Sequence, residues 1–316
     1  MDPKTAAPEA RLVRALGVWG LAAGIVNVTV GGGIFRLPSA AASSLGGAAP
    51  LAYLVCAAAM ALIVLCFAEA GSRVDLTGGP YAYVEVAFGP FAGFLAGVML
   101  WAVGTLALSA VATLFADSVG ALVPALAGGA ARAVLLVAVL ALFAGINVAG
   151  VRQGSAVNTI ATVAKLLPLL LLVAVGAFAV KGANLGWTDT PAAGDVARAS
   201  AVLIFAFAGI ESALVPSGEV KDVARTVPRA IFVAMVGITA LYLAVHLVAQ
   251  GVLGGVLVGH PTPLAQAAGQ VMGPTGRTLL LAGASAGLAF SIRHPGLILL
   301  PWAMAVAYLA DRGSAT

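Results

Sequence analysis

The feature that most constrains this chain is the recurrence of apolar segments about as long as a bilayer crossing. They run over approximately 15–45, 49–72, 89–123, 130–149, 155–180, 197–219, 229–254 and 277–292, with 295–310 as a candidate ninth. A helix crosses the hydrocarbon core with about 20 apolar residues and satisfies its own backbone while doing so. No stretch has the alternating pattern of a barrel strand, so the expected fold class is an all-α polytopic membrane protein. Composition agrees, since 61% hydrophobic and 9% charged residues exclude a soluble domain of this size. The net charge of +4 is spread over single basic residues. Without a basic run, nucleic acid is excluded as a partner and the lipid bilayer is expected. Met1 to Arg14 is polar and carries no cleavable signal pattern.

Two of these segments contain helix-breaking residues. In the first, Val30-Gly31-Gly32-Gly33-Ile34-Phe35 places three glycines between two apolar halves. Each costs roughly 1 kcal/mol in a helix relative to alanine, so the helix is expected to open there. An opened backbone at membrane depth must line a cavity or be buried in protein. The start of the second half-helix would then present free N–H groups to a carboxylate. The alternative is that the glycines only allow close helix packing. In the sixth segment, Phe205-Ala206-Phe207-Ala208-Gly209-Ile210-Glu211-Ser212 precedes Pro216 and Gly218. An acid in mid-span costs about 2.5–3.5 kcal/mol, so Glu211 is expected to face a cavity or a partner, or to be bonded to nearby backbone. Interrupted segments at the start of each half are the sequence pattern of a transporter site built on inverted repeats.

Charges orient the chain. With the N-terminus in the cytoplasm, Lys4, Arg11, Arg14, Arg73, Arg152, Lys221, Arg225, Arg229 and Arg293 lie inside. Arg132, Lys181, Arg198 and Arg277 lie outside. That asymmetry fits the positive-inside rule for an inner, cytoplasmic membrane. Cys56 and Cys66 lie on one expected helix about 15 Å apart, too far for a disulfide. His246, His260 and His294 stand singly, so neither a metal site nor a cofactor is expected. The chain has no His-Glu-x-x-His, no Gly-x-Ser-x-Gly and no paired intramembrane aspartates, and it is not expected to be an enzyme.

Three blocks resemble the amino acid–polyamine–organocation (APC) superfamily of transporters. They are Gly31-Gly32-Gly33-Ile34-Phe35; Ala68-Glu69-Ala70-Gly71-Ser72-Arg73 followed by Thr77-Gly78-Gly79-Pro80-Tyr81-Ala82-Tyr83; and Phe207-x-Gly209-x-Glu211 followed by Gly218-Glu219-Val220-Lys221-Asp222 and Val227-Pro228-Arg229-Ala230-Ile231. The resemblance implies a LeuT-like inverted repeat with helices 1 and 6 broken. It divides the chain into a cytoplasmic tail (1–14), a first five-helix repeat (15–180) and an incomplete second repeat (197–310). Fewer spans are present than in the family, so a natural truncation or a fragment is also expected.

The resemblance further implies a secondary transporter of amino acids working by alternating access, coupled to protons or to exchange and independent of sodium. The substrate carboxylate would rest on the amides of Gly31, Gly32 and Gly33, beside Ile34. Its amino group would meet carbonyls around Val28 and of Phe205, Ala206 and Ala208, next to Gly209. Phe207 or Phe205 would be an aromatic lid, and Ile210 and Ser212 could line the side-chain pocket. Lys165, in the fifth segment, would place its ammonium where sodium-coupled relatives bind a cation, either exchanging protons during the cycle or holding helices together. Lys165 and Glu211 are therefore the coupling candidates, with protons as a second small partner. Glu69, Arg73, Lys221 and Arg229 would form an inner gate or a solvated rim, and Arg36 would lie near the outer mouth as gate or headgroup anchor. Gly209-Ile210-Glu211-Ser212 is also similar to the signature of some cationic amino acid exchangers, which leaves a cationic amino acid or polyamine as the alternative substrate.

Overall fold

The computed structural model describes residues 17–74, 79–148, 151–187, 190–210 and 220–293. Every regular element among them is helical, as the apolar segments predict. The first segment forms α1 (Val18–Thr29) and α2 (Gly33–Leu45), and α3 (Ala49–Arg73) follows. Then come α4 (Pro80–Phe88), α5 (Pro90–Leu122), α6 (Gly129–Val148) and α7 (Val151–Gly176). The chain continues with α8 (Ala193–Phe207), α9 (Val223–Leu253) and α10 (Pro263–Arg293). Four described stretches are long and apolar enough to cross a bilayer: Gly33–Arg73, Pro90–Leu122, Thr162–Ala179 and Ala224–Leu257. The chain is thus built as a multi-pass helical membrane protein. Glu211, Ser212, Pro216, Gly218 and Glu219 lie outside the described residues, as does the 295–310 segment.

One element differs from the sequence reading. The stretch after α3 reads as loop but contains α4, which starts at Pro80, whose fixed φ suits a first helical turn. It ends at Gly89, whose φ of 89° turns the chain straight into α5. α10 agrees with the sequence reading of a short helix over Pro261 to Val271 and a turn at Gly273-Pro274: a short helix from Pro263 meets the spanning half at Gly273, with φ 70°, just before Pro274. The spanning half continues to Arg293, past the expected end of that segment.

Residue size, more than polarity, separates the inner and outer faces of these helices. On α3 the buried positions are Ala49, Ala52, Tyr53, Cys56, Met60, Val64, Ala68 and Gly71, one helical stripe made mostly of small residues. Leu54, Val55, Leu62, Ile63 and Leu65 point outward and are exposed. Lipid chains are as apolar as leucine, so burial of apolar area does not drive helices together in the membrane, and close contact between small residues does.

The helices pack in two sets. α3 lies against α8 and α9, α1 against α9, and α2 against α8. α10 lies against α7 and α5. The α7–α10 contact runs through two glycines one turn apart. A Cβ on Gly283 would stand 2.6 Å from both the Ala164 carbonyl oxygen and Pro168 Cγ. A Cβ on Gly287 would stand 2.5 Å from Lys165 Cβ. Gly283→Ala must therefore force α10 away from α7, at an overpacking cost of about 1–3 kcal/mol. The expected outcome is a lower unfolding midpoint for the detergent-purified protein. Gly237→Ala, whose Cβ would meet nothing within 4 Å, should leave the midpoint unchanged.

Candidate functional site

The two backbone breaks face each other at the centre of the first helix set. α1 stops at Thr29, where the Val30 amide still donates to the Val26 carbonyl at 2.9 Å. The Gly31 amide then folds back onto the Thr29 carbonyl at 2.8 Å, and α2 begins at Gly33. α8 ends at Phe207, Ala208 is extended, and Gly209 has φ +110°, which side-chain-bearing residues rarely adopt. A Cβ on Gly209 would stand 3.0 Å from Val28 Cγ1 and 3.3 Å from the Val28 carbonyl oxygen. One on Gly33 would stand 3.2 Å from Ala206 Cα. Val28, Gly33, Ala206 and Gly209, far apart in sequence, therefore converge.

A residue that reading missed holds the breaks together. The hydroxyl of Tyr242, on α9, lies 2.6 Å from the Ala206 carbonyl oxygen and 3.1 Å from that of Thr29. It carries one proton, so it donates to one carbonyl fully or to both partially. Its ring meets Phe207 edge-on, with centroids 5.3 Å apart at 70°. Phe207 is fully buried, whereas Phe205 is only partly so. The available signal was a lone tyrosine in the aliphatic 229–254 span.

Of the three glycine amides, that of Gly31 is engaged internally. Those of Gly33 and Ile34 open the first turn of α2, where a helix has no internal acceptors. Both residues are buried, and a Cβ on the preceding Gly32 would stand 2.6 Å from Leu288 Cδ2 and 3.3 Å from Leu114 Cδ1.

Lys165 sits on the other side of α1. Only 1% of it is exposed, and its ammonium donates to the Asn27 carbonyl. The Thr162 hydroxyl donates to Asn27 Oδ1 at 2.6 Å. α7 thus holds the last turn of α1 through two bonds to one residue, with Gly287 of α10 against the lysine stem. Among the described residues no carboxylate pairs with this ammonium. Glu211, the other coupling candidate, lies outside them.

The remaining charges gather at the two ends of the bundle. Beyond α2, Asp117 of α5 pairs with Arg36 at 3.3 Å and with Arg132 of α6 at 2.8 Å. Arg132 also donates to the Thr113 carbonyl at 3.3 Å. A cavity of about 20 Å³, room for roughly one water, lies beside them between Phe35, Arg36, Asp117 and Leu281. At the opposite end Glu69 and Arg73 pair with each other along α3, and Asp222 and Arg225 approach to 3.9 Å. Lys221 and Arg229 are exposed. Among the described residues, ion pairs at this end stay within one element. No group of three His, Cys, Asp or Glu side chains able to hold a metal lies among the described residues.

An amino acid permease family model matches residues 16–312. The chain belongs to this family, within the APC superfamily. It is 32% identical over 294 residues to the arginine/agmatine antiporter of Chlamydia caviae, covering 85% of this chain and 59% of that protein. It is 29% identical over 277 residues to the chloroplastic cationic amino acid transporter 9 of Arabidopsis thaliana, covering 81% of this chain and 48% of the other. With the branched-chain amino acid permease BcaP of Bacillus subtilis it shares 27% over 321 residues, 92% of this chain and 69% of BcaP. The chain spans about half the length of the first curated relatives it matches. The family resemblance read from the three sequence blocks is borne out.

In this permease-family chain, Tyr242→Phe removes what is, among the described residues, the only side-chain donor to the Thr29 and Ala206 carbonyls, while preserving the ring contact with Phe207. The Thr29 carbonyl keeps the Gly31 amide, but a buried carbonyl left unpaired at Ala206 costs about 1–3 kcal/mol. The variant should therefore unfold at lower temperature in detergent, and hydrogen exchange should rise in both helix ends, Val26–Gly31 and Ile204–Gly209. Unchanged exchange there would show that Tyr242 is not what holds the breaks.

Proposed function

We propose that this chain is the core of a secondary transporter of amino acids, working by alternating access in the cytoplasmic (inner) membrane with its N-terminus in the cytoplasm. The observation that carries this reading is the pair of facing backbone breaks, tied by Tyr242, in a permease-family chain. A substrate needs a carboxylate site and an amine site at one spot. The first-turn amides of α2 offer the former and the carbonyls of Val28, Phe205 and Ala208 the latter. The excess of basic residues on the Arg73 and Arg229 side supports the orientation. On this reading 15–180 and 197–310 are the two repeats, Glu69, Arg73, Lys221 and Arg229 close the inner side when the bundle rocks, and Phe207 or Phe205 closes over the substrate.

Coupling is to protons or to exchange and does not involve sodium. Lys165 supports this, because its ammonium already takes the α1 carbonyl a bound cation would need. The second reading, exchange of a cationic amino acid or polyamine, is supported by Gly209-Ile210-Glu211-Ser212 and by the names of two relatives, an arginine/agmatine antiporter and a cationic amino acid transporter.

The test is uptake of radiolabelled leucine and arginine into proteoliposomes, with and without an inward proton gradient, beside Lys165→Ala. The expected outcome is gradient-stimulated uptake that the substitution abolishes. Uptake of arginine only against internal arginine would favour the exchanger. Sodium-stimulated uptake would overturn the assignment of Lys165, and no uptake by folded protein would overturn transport by this chain alone.

A further inference from the structure

The seam between α3 and α9 contains polar groups for which neither packing nor the proposed transport role gives a use. His246 lies one turn beyond Tyr242 on α9 and is fully buried. Tyr53 faces it from α3, also buried, with ring centroids 5.0 Å apart at 49°. One turn further along α9, Gln250 Nε2 donates to the Asn184 carbonyl at 3.2 Å. That bond fixes the amide with Oε1 toward His246, whose Nε2 lies 2.8 Å away. A carbonyl oxygen only accepts, so Nε2 carries the imidazole proton and Nδ1 is left as a bare acceptor. Asn184 is itself anchored by its Nδ2 donating to the Gly251 carbonyl at 2.8 Å.

The line of bonds is directional and stops short. Among the described residues nothing donates to His246 Nδ1, and nothing accepts from the Tyr53 hydroxyl. One is an acceptor and the other a donor, both are buried, and their rings are in contact across the same seam. Buried polar groups in proteins are satisfied by protein or by ordered water, and a water needs two to four polar partners. Tyr242, at a neighbouring position and equally buried, has both carbonyls of the breaks for its hydroxyl and needs no further partner.

We propose that one or two water molecules are held between Tyr53 Oη and His246 Nδ1. They complete a hydrogen-bonded relay from the turn at Gly182–Leu185, through Asn184, Gln250 and His246, to Tyr53 on α3. The relay brings water into an otherwise apolar seam, within one helical turn of the residue that ties the breaks. A bridging water re-forms its bonds as the gap changes, so α3 and α9 can shift without stranding either side chain.

Hydroxyl-radical footprinting by radiolysis tests this on the unmodified protein in detergent, because radicals form from water beside the residue they label. Tyr53 and His246 are expected to be oxidised about tenfold faster than Tyr242, although all three are buried. Labelling of Tyr53 and His246 as slow as that of Tyr242 would overturn the proposal. Tyr53→Phe keeps the ring contact and removes the donor, and should lower His246 labelling about threefold. Unchanged His246 labelling in that variant would overturn the shared water.

Discussion

A backbone opened inside a membrane must find polar partners within the protein, and the rest of this structure depends on how that requirement is met. α1 and α8 both end at buried positions inside the bundle, leaving terminal carbonyls that no helix turn can satisfy. Two of them, at Thr29 and Ala206, share one phenolic proton from Tyr242. Because that proton cannot serve both fully, the bond can pass from one helix end to the other without leaving the hydroxyl unpaired. The edge-on contact with Phe207 fixes where the ring stands, so α9 locates both breaks at once.

Two charged contacts connect the first helix set to the second, and they differ in character. Lys165 reaches from α7 to the α1 carbonyl of Asn27 out of contact with solvent, where an unbonded ammonium would be prohibitively unfavourable. Arg36 reaches from α2 to Asp117 of α5 in a half-exposed setting, where an ion pair contributes little and is easily broken. Asp117 also keeps Arg132, so losing Arg36 would not leave its carboxylate without a partner. The two halves of the broken helix are thus held unequally, firmly at α1 and loosely at α2.

Packing follows the same logic of close approach. Gly283 and Gly287 bring α10 onto α7 so tightly that no side chain fits between them, and the outward faces carry the large aliphatic residues. In water the same sequence would read as inverted. In lipid it is the expected arrangement, because dispersion contact between small residues replaces the hydrophobic effect as the source of helix affinity.

The sequence by itself determined the helices, the location of both breaks and the family. Hydropathy over some 20 residues, three successive glycines and a glycine before a mid-span acid are local signals, and local backbone physics reads them directly. Lys165 was also legible, since a charge deep in an apolar span must have a purpose. Which groups meet across the bundle was decided only by the tertiary structure. Tyr242 stands in a run of apolar residues and Thr162 close to Asn158, Thr159 and Lys165, and in neither case does anything nearby in sequence mark the partner. Their bonds to Thr29, Ala206 and Asn27 cross separations of 36 to 213 residues. Arg36 could be read as gate or anchor until α5 and α6 brought Asp117 and Arg132 beside it. α4 was hidden because Gly79-Pro80 and Gly89-Pro90 read as punctuation, although the nine residues from Pro80 to Phe88 form a helix. Such contacts depend on helix rotation and crossing, and in a chain apolar on every face the periodicity that would reveal rotation is nearly silent.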